Sequence, residues 1–256
     1  MIPLRDSIES RTTPVVNRVI IGICSLAFLI QLAAGERGNT IVEQFGLVPA
    51  RLTDPDSSPV IRQNVTVRTN RGIEQAVVVH ELAPPVIPTW LTFITCMFLH
   101  GGWMHFLGNM WFLYVFGDNV EDRLGHVGFL LLYLGTGVVA GIAHYAADSM
   151  SAVPTIGASG AIAGVMGAYA WFYPHARVQA VLPLFVIMPI FVLPAPVFLG
   201  IWFVIQTFSG ISASASGEAG GVAWWAHIGG FVAGAIVALV VGRAHWDHEA
   251  GPPRRF

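Results

Sequence analysis

Charge is what this sequence has least of. Only 11% of its 256 residues are acidic or basic, against about 25% in an ordinary soluble domain, so an exterior wholly in water is excluded. Lysine is absent: all 13 basic residues are arginines, set against 15 acids, for a net charge of -2. That balance leaves no basic patch for a nucleic-acid partner. Two cysteines, Cys24 and Cys96, sit in or beside apolar runs and are too few for a disulfide framework. No internal repeat and no low-complexity tract is visible, and no HExxH motif for a zinc hydrolase.

What is present is apolar sequence, 54% of the chain. A helix crossing the hydrocarbon core needs about 20 such residues, and the chain offers six candidates: 19–33 with its flanks, 103–116, 127–147, 155–172, about 194–208, and 222–242. The run 178–208 is too long for one helix. Pro183, Pro189, Pro194 and Pro196 interrupt it, so it is divided into an apolar, partly interfacial connection and a fifth helix. The first run follows Arg5, Arg11 and Arg18 but lacks a small-residue cleavage site, and it reads as a retained helix.

Arginine placement sets the direction. Arginines precede the first span, lie between the second and third and the fourth and fifth, and follow the sixth, while 148–154 and 209–221 have none. Both termini are therefore expected on the cytoplasmic side of a cell (inner) membrane. The exception is the long first loop, which carries Arg37, Arg51, Arg62, Arg68 and Arg71. Its centre, "QNVTVRTNRGIEQAVVVHEL", alternates like a hairpin. The expected layout is a cytoplasmic segment 1–16, a membrane domain 17–242 including an extracytoplasmic loop 35–100, and a cytoplasmic tail 243–256.

In this topology spans two, four and six run in the same direction, so polar residues early in each share one depth below the outer surface. They are His100, His105 and Asn109 in "HGGWMHFLGNM", Ser159 in "GASGAIAGVMGAY", and His227 in "AHIGGFVAG". His105 and Asn109, four apart, share a helix face; His100 falls in the preceding loop. Ionisable groups at membrane depth mark functional sites. Small residues provide close approach: Gly157 and Gly160 flank Ser159, Ser159 and Ala163 lie one turn apart, and Gly230 and Gly234 form a GxxxG on the face of His227. None of these three spans carries an acid in its interior, which favours a Ser159–His227 dyad over a triad. Ser159 would attack a peptide carbonyl with His227 as base, and the Ser159 N–H, His105 and Asn109 are candidate oxyanion donors. A neutral histidine is the required base, so cleavage is expected to rise with pH. A zinc site has raw material in His100, His105 and His227 but no acid for the water. A transporter would need a polar path below Asn109 and Ser159, where the spans are apolar.

At these residues the chain resembles the rhomboid family of intramembrane serine proteases. The resemblance covers about 86–242, rests on the three quoted segments in order and spacing, and extends to "GDNVEDRLG" at 117–125. It implies an all-α polytopic membrane fold, a rhomboid-like six-transmembrane-helix bundle with a long first loop. It implies Ser159 as nucleophile, His227 as base, His105 and Asn109 as the oxyanion hole, and His100 as a structural histidine, with Glu121 and Arg123 bracing the cytoplasmic end of the second helix. The implied substrates are transmembrane or membrane-adjacent segments of other proteins, entering between the second and fifth helices. No cofactor, metal or obligatory protein partner is implied beyond the bilayer itself. The alternative is a non-catalytic relative that binds transmembrane segments. One departure stands out: Ala163 occupies a position where the family often has an aromatic packed on the histidine, and Phe231, Trp224 or Trp225 could take its place.

Overall fold

The fold was described from a computed structural model, covering residues 1–69, 72–182, 188–216 and 223–242. In chain order the elements are strand β1 (Ile2–Asp6), helices α1 (Val15–Ala33), α2 (Arg37–Phe45) and α3 (Pro49–Thr53), strands β2 (Val60–Thr69) and β3 (Gly72–Glu81), and short helix α4 (Thr92–Thr95). Then come α5 (Trp103–Ala147), α6 (Ser159–Phe172), strands β4 (Arg177–Val181) and β5 (Ile190–Pro194), and helices α7 (Ala195–Ser216) and α8 (Trp224–Val241). Among the described residues three helices, α1, α5 and α8, are long and apolar enough to cross a membrane. The chain is a membrane protein.

The 45-residue α5 is two helices joined at Gly125, whose φ of 71° and ψ of 167° are not helical. Its first arm, 103–124, is longer than the 103–116 expected from apolarity alone. The extra turns carry Glu121, whose carboxylate accepts the N–H groups of Val16 (2.8 Å) and Asn17 (2.7 Å). A carboxylate there satisfies orphan donors at the positive end of α1. Arg123 lies over the Phe172 ring, 5.7 Å from its centroid.

Helix α6 is short, 14 residues, and all but Ser159, Ala170 and Trp171 are buried. Small residues are what let it be surrounded. A β-carbon on Gly160 would come 2.6 Å from that of Ala140 on the second arm of α5, while one on Gly234 would run into the Gly164 main chain, 2.5 Å from its carbonyl carbon. Thus α8 lies backbone to backbone on α6, running parallel to it. The second arm of α5 lies antiparallel on another side, with Ala140 at Gly160 and Thr136 at Gly164.

The expectation of an all-α fold needs correction. The molecule is mostly helical, yet β1, β4 and β5 form an antiparallel sheet in the order β1-β4-β5, pairing Asp6 with Val178 and Arg177 with Pro194. Among the described residues of the stretch read as an interfacial connection, β4 and β5 belong to this sheet, and the segment 1–16 supplies its edge strand β1. Pro189 precedes β5 and Pro194 is its last residue, so neither breaks a helix. The strap is fastened at several points. Trp111 Nε1 donates to Pro3 O at 2.5 Å, Asn119 Nδ2 to Asp6 Oδ2 at 2.8 Å, and the Tyr169 hydroxyl also donates to Asp6.

In the first loop β2 and β3 pair antiparallel from Val60–Glu81 to Thr69–Gly72. Arg51, one of the arginines that broke the charge pattern, is buried and donates to the carbonyls of Glu43 and Ala83, both at 2.5 Å. It stitches the loop together, which is a structural use that a count of basic residues misses. The expected tail 243–256 lies outside the described residues.

Candidate active site

Helix α6 begins at Ser159, four residues later than apolarity suggested. The preceding residues are held extended. Thr155 and Leu47 exchange both main-chain hydrogen bonds (2.8 and 3.0 Å), and Gly157 N donates to Cys96 O at 2.8 Å. Gly157 then turns the chain at φ +123°, where a side chain would be strained, and a β-carbon would stand 2.6 Å from His105 Nε2. The turn leaves Ser159 as the first helical residue, half-buried between buried Ala158 and Gly160. First-turn N–H groups lack intrahelical acceptors, so this end of α6 offers donors as well as the hydroxyl.

The glycine contact brings α8 in register with that end. His227, 7% exposed, places Nε2 at 2.7 Å from Ser159 Oγ. Two residues 68 apart in sequence thus meet across α6 and α8 within hydrogen-bond reach. Gly230 and Gly234 follow His227 on the same face, as the GxxxG spacing required.

On the far side of Gly157 stand His105 and Asn109, one turn apart on α5. Gly101 N donates to His105 Nδ1 at 3.3 Å, so the ring hydrogen belongs on Nε2, the atom that faces Gly157. Asn109 Nδ2 is buried without a hydrogen-bond partner and would lie 3.6 Å from a β-carbon at Gly157. Two donors therefore converge on one small space that glycine keeps open, beside the serine. A buried donor without an acceptor is costly, and it is the feature expected where an acceptor develops charge only during reaction.

His100 lies behind this pair, against the ring of His105. Its main chain makes a two-way amide clasp with Gln31 of α1, both bonds at 3.1 Å. Its buried ring meets Phe28, His105 and Phe106 edge-on, at centroid distances of 6.3, 5.3 and 5.4 Å. It walls the site from behind.

Two neighbours of His227, Trp202 and Gln206, were not assigned to it from the sequence. Trp202 of α7 lies with its ring 5.8 Å from the imidazole, and Trp224 meets it at 6.1 Å and 88°. These two, one of them among the residues considered, supply the aromatic contact that Ala163 does not. Phe231 packs instead on Trp202 and Phe203. The second is Gln206, whose Oε1 stands 2.7 Å from His227 Nδ1. Its signal was its place one turn after Trp202 on an otherwise apolar helix. Attention to carboxylates passed over it.

Fold and site together define a polytopic membrane protein with a serine–histidine contact just inside one end of its bundle. The family description "Rhomboid domain" matches residues 88–244, and the chain belongs to the rhomboid family. Relatives include a chloroplastic rhomboid-like protein 11 of Arabidopsis thaliana, 39% identical over 95 residues, which are 37% of this chain and 32% of that one. The mitochondrial rhomboid protein 1 of Saccharomyces cerevisiae is 26% identical over 161 residues, 60% of this chain and 42% of its own. A rhomboid protease of Bacillus subtilis is 39% identical over 79 residues, 31% of this chain and 15% of its own. The matched stretches span less than half the length of each of these relatives.

Proposed function

We propose that this protein is an intramembrane serine endopeptidase that hydrolyses peptide bonds in or next to transmembrane segments of other membrane proteins. The observation that carries the reading is the 2.7 Å contact between Ser159 Oγ and His227 Nε2. In the reaction, Ser159 attacks the carbonyl carbon while its proton passes to His227 Nε2. The oxyanion accepts hydrogen bonds from the Ser159 N–H, His105 Nε2 and Asn109 Nδ2. Collapse breaks the C–N bond, and the imidazolium returns the proton to the leaving amine. The remaining serine ester is hydrolysed by water, with His227 again taking a proton.

The proposed setting is a six-span domain over residues 17–242, with the two arms of α5 counted separately and the first loop at 35–100 outside. Residues 1–16 and 243–256 face the cytoplasm of a cell (inner) membrane, and the site opens to the opposite side. Ser159 opens its helix and His227 is the fourth residue of its own, so at 1.5 Å per residue both lie within about 6 Å of a helix end. Water then has a short path to the site.

The test is cleavage of a panel of single-span membrane proteins in proteoliposomes by wild type, Ser159→Ala and His227→Ala. Products from wild type, with a fall of at least 10³-fold in both variants, are expected from loss of nucleophile or base. Binding without products in all three would favour the non-catalytic relative that holds transmembrane segments.

A further inference from the structure

A base that works through Nε2 must keep its hydrogen on Nδ1. In water the imidazole favours the opposite tautomer, so something in the site has to select. Carboxylates perform this in serine triads, and no acid lies in the interiors of the helices that carry Ser159 and His227.

We propose that Gln206 is the positioning residue of the site, a neutral third member that holds His227 in its Nδ1–H tautomer. The inference rests on the serine-peptidase reading above. A neutral imidazole has one N–H donor and one acceptor nitrogen. Gln206 Oε1, 2.7 Å from Nδ1, is an acceptor and pairs only with Nδ1–H. The lone pair is thereby left on Nε2, 2.7 Å from the Ser159 hydroxyl. The reverse tautomer would set the bare Nδ1 against the amide oxygen. Trp202, one turn earlier on the same face of α7, covers the ring while Gln206 holds its edge. An amide suits this depth, because it orients without carrying the charge that a carboxylate would have to hold among apolar helices.

The experiment is ¹⁵N NMR of imidazole-labelled full-length protein in nanodiscs at pH 8.5, with the His227 signals assigned by their loss in His227→Ala. Wild type and Ser159→Ala are expected to show a protonated Nδ1 and a bare Nε2. Gln206→Met, which keeps length but removes the oxygen, is expected to move His227 toward Nε2–H. Its kcat should fall about tenfold, the scale of one net hydrogen bond, with KM unchanged. Gln206→Glu, which restores an oxygen acceptor, should recover the Nδ1–H signal. An unchanged Nδ1–H signal in Gln206→Met overturns the proposal, whatever happens to its rate or its thermal transition. Failure of the peptidase reading is distinguishable: wild type would then cleave nothing while the tautomer pattern still reports on Gln206.

Discussion

Helix α8 packs on α5, α6 and α7, and it treats the last two in opposite ways. Toward α6 it presents Gly230 and Gly234, so that main chain meets main chain and no atom at the contact has a rotamer to change. Toward α7 it presents Phe231, stacked among Trp202 and Phe203 at 6.2 and 4.8 Å. Aromatic pairs of this kind add only about 0.5–1.5 kcal/mol each beyond their buried area, and their side chains do have rotamers to change. The difference teaches where precision is needed. The distance between Ser159 and His227 is set by the rigid contact, while Trp202 and Gln206, which meet the His227 ring, come from the softer one. A movement of α7 would leave Ser159 and His227 together and take Trp202 and Gln206 away.

The largest expected effect comes from breaking the rigid side. Gly234→Ala puts a β-carbon into the Gly164 main chain, so the helices must part. The cost should exceed the ~1–3 kcal/mol of ordinary overpacking, and both the thermal transition and cleavage should collapse. Phe203→Ala on the soft side should cost about 1–3 kcal/mol and leave measurable activity, since the ring is only partly buried. Equal losses in paired thermal and activity assays would show that the two contacts are not different in kind.

A smaller effect sharpens the comparison at the site. Trp202→Ala removes the ring from His227 without touching the Ser159 contact. A fall of roughly tenfold in kcat is expected, with a thermal shift well below that of Gly234→Ala. A KM change with kcat intact would move Trp202 from holding the base to holding substrate.

The smallest effect lies at the other end of α6, where β1 is strapped down. Burial holds the Asp6 carboxyl well above its ordinary 3.8, at about 7; Tyr169 donates to it, opposing the shift, and the nearby Asp118 adds to it. The sign follows from linkage. A carboxyl whose value is raised on docking favours the docked strap most below about 4, progressively less as pH rises, and not at all above about 7. Hydrogen-exchange protection of β1, corrected for intrinsic rates, should therefore be greater at pH 5 than at pH 8, and Asp6→Asn should flatten the dependence. Equal protection at both pH values in the wild type would remove Asp6 from the account.

How much of this was legible in the sequence depends on the range over which each residue acts. His105 with Asn109, and His227 with Gly230 and Gly234, are helix neighbours, so periodicity alone puts each set on one face. Shared depth then brings the sets near Ser159. Glu121 was recognised as a helix-end residue, but the N–H donors it accepts from, on Val16 and Asn17, are more than a hundred residues away and nothing local names them. Gln206 escaped because its chemistry depends on which way α7 faces, and an apolar helix with one amide does not say. The β1-β4-β5 sheet was hidden for the same reason. Strand β4 looks like the start of an interfacial run until its partners are known.

That sheet also orders events during synthesis. Ser7 and Arg177 are joined by two hydrogen bonds across 170 positions, Ser7 N to Arg177 O and Arg177 N to Ser7 Oγ, both 2.9 Å. The ribosome makes β1 first and must complete α1, both arms of α5 and α6 before β4 exists to receive it. At about 5–20 residues per second, the strand waits for roughly ten seconds or more with its edge unpaired. Its closure is thus among the later steps of assembly, a clasp fastened after the helices above it have been threaded, and a nascent chain halted before residue 177 should still expose β1 to a protease added from its own side of the membrane.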